Sequence, residues 1–232
     1  FVIQNPENPS LIKKDYFVIL KKPNDKLPKC IEKVIQYLIM KDKKINLIFG
    51  DEDFIDNLGK RYNPYFKGAW NRELFWSNPN VNNSWIISSE FWNKSISYLR
   101  NKKYVINTFS IINYITFELE KNNKLENIKH IPIILYHNSH EKKDRIEALD
   151  KKNIEFLSKF IYNRKTQLGH CLKIEKSKNK KYFKYYWHTP KESLVSIIIP
   201  TRDKIDYLQK CVSSIETYNP GIPYEIIIID ND

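Results

Sequence analysis

The chain ends in the stretch LVSIIIPTRDKIDYLQKCVSSIETYNPGIPYEIIIIDND, residues 194–232. Its apolar runs at 195–199 and 225–229 are too short for helices and rich in β-branched residues, which is typical of buried parallel strands. Apolar residues recur at helical spacing between the two runs: Ile205, Leu208, Val212 and Ile215. The stretch therefore predicts a β-α-β unit with parallel strands.

Such a unit brings the carboxyl ends of both strands to one edge of the sheet, where open α/β sheets bind ligands. Pro200 is expected to end the first strand, and Thr201 or Asp203 is expected to cap the helix. The residues expected at this edge are Pro200, Thr201, Arg202, Asp203, Asp230, Asn231 and Asp232. The sequence thus predicts a ligand site built from two chain segments.

Two segments of this stretch, VSIIIPTRDK at 195–204 and YEIIIIDND at 224–232, resemble the opening of family 2 glycosyltransferases, nucleotide-sugar enzymes of the GT-A fold. The resemblance implies that 200–203 and 230–232 form the two walls of the site for the donor nucleoside. Their oxygens can accept hydrogen bonds from a uracil N–H or a ribose hydroxyl, and Arg202 can approach a phosphate. We therefore expect a donor of the UDP-sugar type.

The resemblance also implies parts that this stretch does not contain. A complete GT-A module uses Mg²⁺ or Mn²⁺ and an Asp base that deprotonates the acceptor hydroxyl for inverting transfer. Both are expected beyond Asp232, so the catalytic residues are unknown and the chain alone is expected to be inactive. FVIQN at 1–5 is typical of a strand already under way, so an internal fragment of a longer protein is expected.

Composition excludes several protein classes and leaves others open. The 232 residues are 41% hydrophobic with only five glycines, which suits a globular chain. Three widely spaced cysteines (Cys30, Cys171 and Cys211) indicate neither a disulfide framework nor a zinc site. No apolar run reaches the roughly 18 residues of a membrane span and no signal peptide is visible, so a cytoplasmic location is expected. The net charge of +12 suits nucleic acid, an anionic membrane face or phosphorylated substrates alike.

The first half of the chain repeats the α/β pattern. A strand is expected at 16–20 and a helix from about Pro28, with the apolar stripe Ile31, Val34, Ile35, Leu38 and Ile39. A second strand at 45–49 runs into the acidic segment GDEDFID, expected to be a loop. GDEDFID, the segment RYNPYFKGAWNRELFWS at 61–77 and HIPIILYH at 130–137 resemble the second half of a family 2 domain, including its acceptor side.

This first domain departs from the family at two functional positions. Where the family has a metal-chelating pair of carboxylates, the chain has Lys22, Asn24 and Asp25, and only the last is a carboxylate. Where the family has its Asp base, residues 107–112 read NTFSII and contain no carboxylate. A hydroxyl with an ordinary pKa is a poor general base near neutrality. The first domain is therefore expected to be degenerate.

Charged and histidine side chains of the first half leave two interpretations open. Asp51, Glu52 and Asp53 could hold a metal or acceptor hydroxyls, or form a solvated loop that meets Lys60 and Arg61. His130 and His137 are seven residues apart, which predicts opposite faces of a strand and no shared metal. A structural role is expected for His137, with Asp25 and His137 kept as weak metal candidates.

Aromatic residues are dense between 62 and 92. Most are expected in the core, while Trp70 and Trp76 are candidates for an acceptor platform because sugar rings stack on such side chains. After 140, an amphipathic helix and the hairpin HCLKIEKSKNKKYFKYYW at 170–187 are predicted. The hairpin either binds an anionic partner or docks its aromatics on a neighbouring domain, as in the connectors of tandem family 2 enzymes.

The sequence thus predicts GT-A pieces in three parts. These are the back half of a degenerate module (1–140), a connector (141–193) and the first β-α-β of a second module (194–232). The implied function is transfer of a sugar to a growing surface glycan, or to its lipid-linked form, in the cytoplasm or at the inner face of the plasma membrane. The alternatives are a non-catalytic module that binds a glycan or a partner, and a basic nucleic-acid-binding protein, for which no recognised motif is present.

Overall fold

The structure is a computed structural model that describes residues 2–6, 8–13, 17–77, 84–139, 144–162, 171–177, 182–187, 194–218 and 221–231. The chain divides into two compact units, unit 1 (Phe1–Tyr186) and unit 2 (Trp187–Asp232). Both units combine strands with helices, so the fold class is mixed α/β.

The elements of the first part are β1 (Val2–Gln4), β2 (Phe17–Leu20), α1 (Ile31–Lys41), β3 (Leu47–Ile55), β4 (Arg61–Tyr65), α2 (Arg72–Ser77), β5 (Trp85–Ser88), α3 (Ser89–Asn101) and α4 (Thr108–Lys121). They are followed by a 3-10 turn (Leu125–Asn127), β6 (Ile128–Asn138), α5 (Asp144–Tyr162), β7 (Cys171–Lys176) and β8 (Phe183–Trp187). Unit 2 contains β9 (Val195–Thr201), α6 (Ile205–Thr217) and β10 (Tyr224–Asp230).

Strand β3 is the centre of a mixed sheet in unit 1. The sheet has the order β1-β2-β5-β3-β4, and β6 also pairs with β3. The β1–β2 and β3–β6 pairs are parallel, whereas β5 is antiparallel to both of its neighbours and β4 is antiparallel to β3. Because it has neighbours on both edges, β3 lies in the interior of the unit, together with the polar residues that it carries.

Helices cover both faces of this sheet. Alternate residues of the central strands belong to different apolar clusters, as the two-residue period of a strand requires. One cluster joins Leu47 and Phe49 to helices α3, α4 and α5. The other joins Ile48 to Ile31 and Ile35 of α1. Burial on both faces explains why the central strands read as continuous apolar runs.

Several predicted elements are present with shifted ends. The strands expected at 16–20 and 130–137, the helix after residue 140 and the hairpin at 170–187 are confirmed within the described residues. Helix α1 begins at Ile31 and not at about Pro28, because residues 29 and 30 form a turn whose first bond runs from the Ile31 N–H to the Pro28 carbonyl. Of the apolar stripe predicted for this helix, Ile31 and Ile35 are buried, Leu38 and Ile39 pack against the same cluster, and Val34 is half-buried.

Gly50 occupies a position in β3 that has no room for a side chain. A Cβ built there lies 2.5 Å from Leu135 Cδ1 and 3.0 Å from the Ile133 carbonyl oxygen. We expect Gly50→Ala to lower the free energy of unfolding by about 2 kcal/mol, as overpacking does in other cores. Gly68→Ala is the matched control, since nothing lies within 4 Å of its added Cβ. Urea denaturation of both variants measures the difference, and equal stabilities would contradict this packing.

Unit 2 is the predicted β-α-β unit. Strands β9 and β10 pair in parallel, with Val195 opposite Tyr224 and Thr201 opposite Asp230. Pro200 lies within β9 and does not end it, which is tolerated because β9 pairs on one edge only among the described residues. The helix is capped by neither Thr201 nor Asp203: its N-cap residue is Lys204, without a side-chain hydrogen bond. Both capping expectations are therefore wrong.

The predicted burial of these two strands is also wrong for the described residues. Ile198, Ile228 and Ile229 are each about half exposed, and helix α6 has no buried residue. Unit 2 has only two strands and one helix, which are too few elements to cover both faces of a sheet.

Among the described helices of the whole chain, none is both long enough and apolar enough to cross a bilayer.

Candidate functional site

The acidic segment of unit 1 lies inside strand β3 and not in a loop. Asp51, Glu52 and Asp53 are 2, 6 and 2% exposed. They are buried because β4 and β6 pair with this part of β3 on its two edges. The interpretation as a solvated loop is therefore wrong. Three neighbouring carboxylates can be buried at low cost only where donors or cations face them.

Two of these carboxylates are hydrogen-bonded within unit 1. Asp51 Oδ1 accepts a bond of 2.9 Å from the backbone N–H of Lys67. Asp53 Oδ2 accepts one of 2.6 Å from Arg61 Nε, so the predicted contact with Arg61 is present although the carboxylate is buried. The bond from Arg61 joins the start of β4 to the acidic strand, and the bond from Lys67 folds the segment after β4 back onto it.

Both histidines of β6 also reach this pair of carboxylates. His130 Nε2 lies 3.0 Å from Asp51 Oδ1, and His137 Nδ1 lies 2.5 Å from Asp53 Oδ1. In the β3–β6 pairing, His130 lies opposite Phe49 and His137 lies opposite Asp53. The two histidines are seven residues apart on β6, whereas their partners are only four apart on β3. The additional residues of this irregular pairing change the face on which a side chain lies. The prediction of opposite faces is therefore wrong.

Glu52 and Lys67 form a buried ion pair. Their Oε2 and Nζ atoms are 3.8 Å apart, with both side chains less than a tenth exposed. No donor among the described residues is within hydrogen-bonding distance of Glu52 Oε2. Burial raises the pKa of Glu52 and lowers the pKa of Lys67, and the attraction between the two charges opposes both shifts. At 3.8 Å the attraction between the two charges only partly offsets the cost of burying them, so the packing around the pair keeps the two side chains together.

The segment after β2, which the resemblance equates with a donor loop, lies beside this strand end. Lys26 and His137 exchange two backbone hydrogen bonds of 2.9 Å. The backbone N–H of Lys22 donates to the Tyr136 hydroxyl at 3.0 Å. The Lys22 side chain is half-buried, and Asn24 is exposed. The tertiary structure thus places the segment of Lys22, Asn24 and Asp25 beside the acidic residues 51–53.

Asp25 uses both of its oxygens to hold this segment in place. Oδ2 accepts a 2.5 Å bond from the Tyr136 hydroxyl, and Oδ1 accepts bonds of 2.9 and 3.0 Å from the N–H and hydroxyl of Ser139. Burial, with the bond to Asp25, raises the pKa of Tyr136 far above its usual value. Asp25 therefore has a structural role that the sequence did not indicate.

The described residues of unit 1 do not fit Mg²⁺ or Mn²⁺. A hard divalent cation needs several free oxygen ligands. Asp25 is the only carboxylate of the predicted loop, and its oxygens are engaged. The His137 Nδ1 atom faces Asp53. Within the ranges that the structure describes, no group of three or more His, Cys, Asp or Glu side chains is placed to hold a metal ion.

Residues 107–112, which the resemblance equates with the segment of the family's base, begin helix α4. Asn107 accepts a hydrogen bond from the Ser110 N–H, and the Ser110 hydroxyl accepts one from the Asn107 N–H, which makes a capping box. The Asn107 side chain also donates to Asn153 of α5 at 2.9 Å. These residues stabilise a helix start and its contact with α5.

Trp70 and Trp76 line a cavity of about 250 Å³ between α2 and α4. Trp70 is half-buried, whereas Trp76 is only 3% exposed and has little free ring surface for a ligand. Arg72 lies over the Trp76 ring at 5.0 Å and bonds to Glu73 and Glu120. Arg72 is paired with both carboxylates of this wall, which leaves one net negative charge among the three residues.

The hairpin of β7 and β8 packs Phe183 and Tyr185 against the rest of unit 1. Phe183 is buried in the main apolar cluster, and the Tyr185 hydroxyl donates to the Trp76 carbonyl at 2.8 Å. The Tyr186 ring lies near Lys173 and Lys184 of the same hairpin. Tyr182 and Trp187 are 45 and 37% exposed, so part of the aromatic surface of the hairpin faces solvent.

In unit 2, the two predicted walls lie at one edge. Thr201 and Asp230 are paired residues at the ends of β9 and β10, and the Asn231 N–H donates to the Thr201 carbonyl at 2.9 Å. Arg202 and Asp203 follow β9 and are exposed, with 3.9 Å between Arg202 Nε and Asp203 Oδ2. Asp203 has a φ of 51°, a conformation that Asp tolerates better than most residues. Asp232 lies outside the described residues.

No protein-family model matches this chain, and no curated protein sequence is similar to it at a significant level. Sequence reasoning predicted Arg61 beside the acidic strand but missed its other basic partners, above all Lys67, and the two residues that hold Asp25, Tyr136 and Ser139. A weak signal was available for Lys67, since it is a single cation within the aromatic segment PYFKGAW.

Proposed function

We propose that the chain is part of a glycosyltransferase of the GT-A kind, in which unit 2 contributes the edge that binds the nucleotide of a UDP-sugar donor. One observation carries the proposal: the parallel pairing of β9 and β10 places Thr201 directly opposite Asp230. Both segments that resemble the family 2 opening therefore meet at one edge, the position at which open α/β sheets bind ligands.

The side chains at this edge have the chemistry that a nucleotide requires. Asp230 and Asn231 provide oxygens for a uracil N–H or ribose hydroxyls, and Arg202 is exposed and able to contact a diphosphate. The sugar acceptor, a glycan or lipid-linked glycan, and Mg²⁺ or Mn²⁺ belong to the complete enzyme in this proposal. The cytoplasmic location expected from the sequence belongs to it as well.

Unit 1 is proposed as a non-catalytic companion of the enzyme. Its polar strand end is supplied with internal partners: Asp51 and Asp53 bond to basic groups, and Asp25 bonds to Tyr136 and Ser139. A carboxylate oxygen that already accepts a hydrogen bond within its own domain is a weak ligand for a metal or substrate. A role in binding a glycan or a partner protein fits this unit better than transfer chemistry.

Calorimetric titration of UDP into this chain, with and without Mn²⁺, tests the proposal. We expect binding that Arg202→Gln weakens about ten- to a hundredfold, the usual effect of losing charge-assisted hydrogen bonds. Lys210→Gln, an exposed position of α6, makes the same change of charge and should leave the Kd unchanged. Lys22→Gln probes the segment beside the acidic strand in unit 1. Absence of UDP binding, or binding sensitive only to Lys22→Gln, would contradict the proposal.

A further inference from the structure

Helix α1 carries exposed apolar residues on the side opposite to its buried one. Ile31 and Ile35 are buried in the apolar cluster beneath the helix. Lys33, Tyr37 and Met40 recur at i, i+4 and i+7 and therefore lie on the outer side. Tyr37 is 64% exposed, and Met40, the only methionine of the chain, is 82% exposed. Among the described residues, Tyr37 and Met40 belong to neither apolar cluster.

Helix α1 and the turns at its two ends are strongly basic. Lys33 and Lys41 are exposed within the helix, and Lys29, Lys43 and Lys44 are exposed in the flanking turns. The exposed acidic residue of the helix is Glu32. Asp42, just after the helix, lies 3.5 Å from Lys129 and accepts a hydrogen bond from the Lys44 N–H. Helix α1 therefore exposes Tyr37 and Met40 between lysines of the helix and of its two flanking turns.

We infer that the outer side of α1 (Lys33, Tyr37, Met40 and Lys41), together with Lys29 and Lys44 of the turns at its ends, binds the surface of an anionic lipid bilayer. A helix that lies in a membrane interface inserts its apolar side chains between the headgroups and surrounds them with lysines, whose stems reach out to anionic lipids. Nucleic acid would pair with the lysines but would leave Met40 in water. The inference concerns unit 1 alone and does not depend on nucleotide binding by unit 2.

Vesicle sedimentation with the full chain tests this inference. We expect binding to vesicles of phosphatidylcholine mixed with phosphatidylglycerol, little binding to phosphatidylcholine alone, and weaker binding at high salt. The variant with Lys29, Lys33, Lys41 and Lys44 all changed to Gln should bind at least a hundredfold more weakly, since each lysine near the surface contributes roughly fivefold. Met40→Gln keeps the charge and should weaken binding severalfold, because it removes an inserted apolar group.

The matched control changes four exposed lysines elsewhere in unit 1, Lys102, Lys103, Lys121 and Lys124, to Gln. It alters the net charge equally and should keep most of the vesicle binding. Circular dichroism confirms that each variant is folded. Equal losses in both quadruple variants, or no binding to anionic vesicles, would overturn the inference. An unchanged affinity in Met40→Gln together with tight, salt-sensitive DNA binding through the α1 lysines would assign the surface to nucleic acid instead.

Discussion

Replacing Lys67 with Met is expected to lower the free energy of unfolding by about 3–5 kcal/mol at neutral pH. The variant leaves the Glu52 carboxylate buried and without its cation, and Oε2 already lacks a hydrogen bond among the described residues. Methionine retains much of the volume of the lysine stem, so the loss reports the charge and not a cavity. Urea denaturation at neutral pH measures it.

The Lys67→Met defect should depend on pH in a defined direction. Burial raises the pKa of Glu52 in the folded state above its ordinary value of 4.5, and loss of Lys67 removes a group that lowers it. An acid with a raised folded-state pKa stabilises the fold fully below its unfolded pKa, and this contribution is lost as the pH rises through the folded pKa. The defect should therefore shrink from neutral pH towards pH 4.5.

Two further variants make the Lys67 prediction specific. Glu52→Gln combined with Lys67→Met removes both charges and should recover a large part of the lost stability. Lys60→Met at an exposed position should change the stability by less than about 0.5 kcal/mol. A Lys67→Met chain that loses less than about 1 kcal/mol and shows no pH dependence would be incompatible with a buried ion pair.

Trp85→Ala is expected to cost about 3–5 kcal/mol, the range for deleting a large buried aromatic side chain. Trp85 is 1% exposed, and its ring lies 5.0 Å from Phe49, 5.8 Å from Phe75 and 6.1 Å from Trp70 between ring centres. It therefore joins the central strand to helix α2. Thermal and urea denaturation measure the loss.

The indole nitrogen of Trp85 supplies the control for that prediction. Among the described residues, none accepts a hydrogen bond from Trp85 Nε1. Trp85→Phe therefore removes a buried polar atom without breaking a bond and should cost less than about 2 kcal/mol. Leu58→Ala, at a side chain that is 94% exposed, should be neutral within about 0.5 kcal/mol. A Trp85→Ala chain as stable as Leu58→Ala would show that Trp85 does not pack as described.

The regular elements could be predicted from the sequence because their signals are local. A short stretch of sequence is enough to define each of these elements. Examples are the apolar run before Gly50, the apolar stripe of α1 and the two apolar runs of unit 2. Their neighbours in the sheet could not be predicted, because β3 pairs with strands that come both shortly after it and from residue 128 onward.

The burial of the acidic segment could not be predicted because its partners are distant. DED reads as a polar loop when only adjacent residues are considered. His130 and His137 contact this segment from 79 and 84 residues away in the sequence. Lys67 contacts it from the segment that follows β4. Pro132, which cannot donate to a sheet, was a signal that β6 pairs irregularly. That irregularity decides the face on which each histidine lies.

Hydrogen–deuterium exchange with and without UDP tests most directly the claim that unit 2 holds the nucleotide. The account predicts slower exchange at residues 201–204 and 230–231, where the two strand ends meet, with no change at 21–26 beside the acidic strand. Protection confined to 21–26 would place the nucleotide in unit 1 and contradict the account, and so would a chain whose exchange UDP does not alter.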